Sequence, residues 1–126
     1  MKPSTREWIK KAESDYQLGR ALARRRKVLV RDQACFMFQQ SAEKYLKARL
    51  EEANLHFPKT HQLQDLITLA LPVEPLWSAL MPSAGRLSVY AVTFRYPGYE
   101  ATAAQLKTSE QDAKAIRREA RFALDL

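Results

Sequence analysis

Few side chains in this sequence combine the type and placement needed for bond-making chemistry. There are two histidines, His56 and His61, and one cysteine, Cys35. A histidine changes charge near neutral pH and moves protons, and an arginine holds negative charge in place. Arg95 stands in the run Arg95-Tyr96-Pro97-Gly98, which reads as a turn or loop. No histidine follows Arg95. Only His61, brought close by folding or by a second copy of the chain, could complete a proton-transfer site with it. Arg49 and His56 are spaced as Arg-x6-His. They straddle a helix end, with Arg49 aimed at the apolar side, so the spacing is read as coincidence. Cys35 falls on an apolar helix face and reads as a small buried hydrophobe rather than a nucleophile. The sequence has no Gly-rich phosphate loop, nucleophile elbow or His-Glu-x-x-His. Two histidines and one cysteine do not make a convincing metal site, so neither a metal nor a cofactor is expected.

The most informative polar residues share one helix. At 100° per residue, Gln40, Glu43 and Lys47 line a single stripe with Phe36 and Leu50, opposite a Phe38/Ala42/Tyr45 face. Such a helix has two surfaces to satisfy: its own core, and a partner helix or polar pocket. The simpler alternative is a solvated face carrying a Glu43–Lys47 pair worth about 0.2–0.5 kcal/mol. Arg95 likewise has a plain alternative, a guanidinium satisfied by Glu43 or by loop carbonyls. For His61 the plain alternative is a first-turn residue bonded to backbone.

The elements that must position these residues are helical almost throughout. Ser4-x-x-Glu7 after Pro3 predicts a capping box opening a helix that runs to about Arg26, with Trp8, Ala12, Asp15, Gly19 and Leu22 on one stripe. Asp32 is expected to cap a second helix ending near Asn54, with Ala34, Cys35, Phe38, Ala42, Tyr45, Leu46 and Ala53 on its apolar face. Pro58 breaks the chain, and Thr60 is expected to cap a third helix that turns Leu63, Leu66, Ile67 and Ala70 inward and stops at Pro72. Pro75 opens a fourth, divided by Pro82 and Gly85. The β-prone run Val89–Tyr96 alternates poorly and reads as the end of that helix entering a loop. A fifth helix is expected from Thr108 or Ser109, using Ala113, Ile116, Ala120 and Ala123. Four or five helices with short connections predict one all-α, up-and-down bundle spanning residues 1–126.

Length and charge agree with a small globular domain. The 126 residues carry a formal net charge of +7, and residues 1–31 hold all of that excess, with ten Lys/Arg against three Asp/Glu. The densest part is Arg24-Arg25-Arg26-Lys27, flanked by Arg20 and Arg31. It is read either as a solvated helix end opposing the macrodipole or as a docking patch for RNA, DNA or an acidic partner. A single cysteine excludes an internal disulfide. No apolar run reaches the roughly 18–20 residues of a membrane span, and no secretory leader is visible, so a cytoplasmic protein without membrane contact is expected.

Several runs are familiar in combination. Trp8-x3-Ala12-x2-Asp15-Tyr16 comes first. Asp32-Gln-Ala-Cys-Phe-Met-Phe-Gln39-Gln40-Ser-Ala42-Glu43-Lys44-Tyr-Leu46-Lys47-Ala48 is the core, followed by Pro58-Lys-Thr60-His61-x-Leu63-x-Asp65-Leu66 and Arg95-Tyr96-Pro97. Together they resemble the HEPN domain family (higher eukaryotes and prokaryotes nucleotide-binding domain), over nearly the whole chain. The resemblance implies a bundle of about five helices similar to the helical domain of kanamycin-type nucleotidyltransferases. It also implies a homodimer, and a possible pairing with a minimal nucleotidyltransferase in a two-component, toxin–antitoxin-like system. Many members are metal-independent endoribonucleases using an Arg-x4–6-His motif, from which this sequence departs because no histidine follows Arg95. The reading is therefore a binding module in which Gln40, Glu43, Lys47, His61, Arg95 and Tyr96 surround a nucleotide or a partner segment. The alternatives are a ribonuclease using Arg95 and His61, and nucleic-acid binding through residues 20–31.

Overall fold

The computed structural model describes residues 1–126. It contains five α-helices and no strands: α1 (Pro3–Arg24), α2 (Val28–Glu52), α3 (Leu63–Ala70), α4 (Met81–Ser88) and α5 (Ala103–Ala123). Short 3₁₀ segments at Pro75–Leu80, Val89–Ala91 and Thr93–Arg95 link α3 to α4 and follow α4. The expected all-α bundle is therefore the observed one, and the β-prone run becomes two tight turns.

The central element is α2. It packs along α1 on one side and α5 on another, with α3 and α4 closing the remainder. Phe38, Ala42, Tyr45, Leu46 and Leu50 are fully buried on it, and so are the polar Gln39 and Ser41. Glu43 and Lys47 are also buried, so the solvated-face alternative for that stripe is overturned. The cause is a second wall, the segment carrying Phe57 and His61, which lies over the polar side of α2.

Gly19 permits a close approach of α1 to the Phe38 ring of α2. A Cβ there would stand 2.9 Å from Cε1 of Phe38, a ring already held edge-on by Tyr16 at 6.0 Å. Gly19→Ala gains about 1 kcal/mol of helix propensity but meets an overpacking cost of about 1–3 kcal/mol. A net fall in the urea midpoint is expected; a rise would show that Phe38 has room to yield.

The helix boundaries correct five expectations. The first α1 residue is Pro3, with Lys2 as N-cap and no capping box. Ser4 instead donates to Glu51 (2.8 Å) and Thr5 to Glu52 (2.9 Å). Both hydroxyls are drawn away because the acidic end of α2 lies against the positive N-terminus of antiparallel α1. Asp32 does not cap α2, which begins at Val28. Its carboxylate accepts the Ala101 N–H at 2.7 Å, while Arg31 donates to the Ala101 carbonyl at 3.0 Å. Thr60 accepts the N–H of Gln62, the actual N-cap position of α3. The fifth helix starts well before Thr108, at a capping box formed by Thr102 and Gln105. The fourth element divides at Leu80–Met81, so Pro82 sits in the first turn of α4 while Gly85 lies within it.

A polar seam closes α1, α2 and α5. Glu13 accepts two bonds from Arg117 (2.7 and 2.9 Å), and also bonds from Gln17 and from the Tyr45 hydroxyl. Burial pushes the Glu13 carboxyl up, but Arg117, Tyr45 and Gln17 outweigh it and bring it down to about 2. Near the other end of α2, burial pushes the Cys35 thiol up to about 11, against a smaller opposing hydrogen bond with Ser109.

Candidate functional site

The site is built outward from a buried carboxylate. Glu43 Oε1 accepts from the side-chain amide of Gln39 at 3.1 Å and lies 2.9 Å from Nδ1 of His61. Its other oxygen, Oε2, accepts from Lys47 at 3.0 Å. Burial raises the Glu43 carboxyl, yet its bonds to His61, Lys47 and Gln39 more than offset this, so it stays below the ordinary carboxylate range. The Lys47 ammonium is enclosed by the Trp8 and Phe57 rings, 5.6 and 5.9 Å from their centroids. That arrangement favours the cation over plain burial. Gln39 also donates to the His61 carbonyl at 3.3 Å and accepts from Gln40 at 2.8 Å.

This network fixes His61. Because an ionised carboxylate only accepts, the Nδ1 facing it carries the proton. The other ring nitrogen, Nε2, then serves as an acceptor in the neutral ring or a donor in the charged one. The His61 side chain is 61% exposed while Glu43 is 5% exposed, so a buried anion presents a largely open imidazole.

Arg95 supplies the cation. Its guanidinium carbon lies 4.5 Å above the centre of the Phe36 ring, and the residue is exposed at the end of a 3₁₀ segment. It joins none of the chain's ion pairs. The alternative in which Glu43 satisfies it is thereby removed, since that carboxylate is committed to Gln39, Lys47 and His61. Arg95 and Tyr96 border a cleft of about 440 Å³ together with His61, Ala91 and Val92. They also border a second, of about 570 Å³, with Asp32, Gln33, Phe36, Phe94 and residues 97–100.

Of the residues singled out from sequence, His61, Arg95 and Tyr96 meet at one groove. Glu43 and Lys47 lie behind it as support, and the half-buried Gln40 bonds Gln39. Arg49 pairs with Glu74 at 2.9 Å and His56 is exposed, so these two form no site. The basic patch is divided. Arg20 lies 3.9 Å from Glu110 and Arg31 is engaged with Ala101, whereas Arg24, Arg25, Arg26 and Lys27 are exposed. Sequence reasoning missed Gln39, Trp8, Phe57, Phe36 as the platform for Arg95, and the far cleft with Tyr99 and Glu100. For Gln39 a signal existed in the Gln39-Gln40 pair; for the aromatic neighbours only folding brings them in.

A five-helix all-α domain, with an imidazole and an arginine at one exposed groove, defines the class of protein. The family model for the HEPN domain matches residues 5–126, and the chain belongs to that family. Membership supports a nucleotide- or RNA-binding, or ribonuclease-type, module. Neither the curated proteins nor the solved structures yielded a match. No helix is long and apolar enough to cross a membrane.

Proposed function

We propose that the groove binds a phosphate-bearing ribonucleotide unit, either free or within RNA. Arg95 takes the phosphate, and His61 stands beside it with Nε2 available. The observation that carries this is an exposed, ring-stacked guanidinium without a carboxylate partner, sharing a cleft with an imidazole anchored from behind. A charge-assisted contact of this kind contributes about 1.5–3 kcal/mol. Calorimetry with AMP, ATP and a short oligoribonucleotide is expected to show binding, with affinity at least tenfold lower in Arg95→Ala. Absence of heat at millimolar nucleotide would remove this reading.

The same proposal includes assembly as a homodimer, with a minimal nucleotidyltransferase as a further partner. Exposed Leu29, Leu76 and Phe122, none of which borders either cleft, supply apolar surface for one or the other. Light scattering on the purified chain tests the homodimer, and a monomer at tens of micromolar would refute it. Co-purification with a co-expressed nucleotidyltransferase tests the partner.

A second reading, metal-independent cleavage of RNA, is favoured by the convergence of His61 with Arg95. In-line attack of a 2′-hydroxyl needs proton transfer and stabilised phosphorane charge, which these two groups could supply. Cleavage in chelator that survives in both His61→Ala and Arg95→Ala would sink that assignment.

A further inference from the structure

Arg95 and Tyr96 form a partition between two clefts of opposite character. No carboxylate lines the His61 side, and Glu43 behind it is committed to Lys47, Gln39 and His61. On the far side, Asp32 and Glu100 flank an aromatic surface made by Phe36, Phe94 and Tyr99. Phe94 is wedged between Tyr90 and Tyr99, at centroid distances of 4.8 and 6.0 Å, so that surface is held in place. A phosphate is attracted to Arg95 and repelled by the two carboxylates. Held by Arg95 from the His61 side, a phosphate keeps clear of both carboxylates, and that placement leaves the aromatic side for the attached base.

The hydrogen-bonding character of the far cleft then discriminates between bases. One Asp32 oxygen is occupied by the Ala101 N–H at 2.7 Å, leaving the other. Glu100 is exposed and joins no ion pair. A carboxylate only accepts, and its two oxygens match two adjacent N–H donors. Guanine presents that pair, N1–H and N2–H, on one edge. Adenine and cytosine each place a ring-nitrogen lone pair beside their amino group, and uracil has a single N–H between two carbonyls. Stacking on aromatic and guanidinium planes is tolerant of every base, so the selection falls to the acceptors.

We propose that the cleft bordered by Phe36, Tyr99 and Glu100 is a nucleobase subsite that selects guanine, with Glu100 reading its N1–H/N2–H edge. This rests on the reading of Arg95 as the phosphate site. Titration of the full chain with GMP, AMP, CMP and UMP tests it. The expected result is GMP at least tenfold tighter than the others. Glu100→Gln, which replaces one acceptor by a donor, should abolish the preference for GMP over AMP when both are measured in that variant. Tyr99→Ala should weaken all four. Equal affinity for the four nucleotides would overturn the guanine subsite while leaving the phosphate reading intact. So would a GMP preference that survives Glu100→Gln. If none of the four binds, both readings fall together.

Discussion

Glu43→Ala is expected to destabilise the domain by about 3–5 kcal/mol, the cost of stranding one charge of a buried pair. The Glu43 and Lys47 side chains are 5% and 9% exposed, so solvent cannot replace the lost partner. The Trp8 and Phe57 rings soften the loss for the Lys47 ammonium but do not accept its hydrogen bonds. The same change frees His61 and leaves the Gln39 amide with only its long bond to the His61 carbonyl. Urea denaturation of Glu43→Ala, Lys47→Met and the Glu43→Leu/Lys47→Met pair checks this. The double variant should recover much of the loss, because it removes both charges and keeps the volume. A loss below about 1 kcal/mol in Glu43→Ala would mean that the pair is solvated in solution, against the burial argument.

Acid should unfold the domain earlier than its general charge would suggest. The Glu13 carboxyl stands at about 2 in the folded chain against an ordinary value of 4.5. A depressed folded value means that the ionised form is the stabilising one. Its contribution is complete above about pH 4.5 and declines as pH falls through that value toward 2. The full linkage is on the order of 2–3 kcal/mol, after a discount for the 29% exposure of the Glu13 side chain. Glu43 is shifted in the same direction and adds to the loss in acid. Urea midpoints at pH 7, 5, 4 and 2.5 should fall mainly below pH 4.5. Arg117→Met should flatten that decline by removing the principal partner of Glu13. An unchanged midpoint between pH 5 and pH 2.5 would contradict the assignment.

The sequence made some of this legible and concealed the rest for identifiable reasons. Apolar spacing revealed the inward faces of α3 and α5, because Leu63, Leu66, Ile67, Ala113, Ile116 and Ala120 each meet one core from one side. Capping residues misled where a neighbouring element competed for them. Ser4 and Asp32 each reach another segment instead of their own helix start. The start of α5 was readable in Thr102-x-x-Gln105, a better capping pattern than the Thr108–Ser109 alternative. The polar stripe of α2 was found correctly as a stripe. Periodicity in one helix, however, carries no information about a second wall, so the burial of Glu43 and Lys47 was hidden. His61 and Arg95 were identified by chemical type, and their shared cleft is a tertiary fact that no local pattern encodes.

Cys35 carries a consequence for kinetics. It is wholly buried on α2, beside Ser109 of α5 and near Tyr90, and its thiol is raised to about 11, so little thiolate exists near neutral pH and reagents have no path to it. Alkylation must therefore wait for the helices to separate. The chain thus contains its own stopwatch. With fast reagent in excess, the labelling rate of this one sulfur reports how often its cover of α5 and the Tyr90 segment opens, without any probe being introduced.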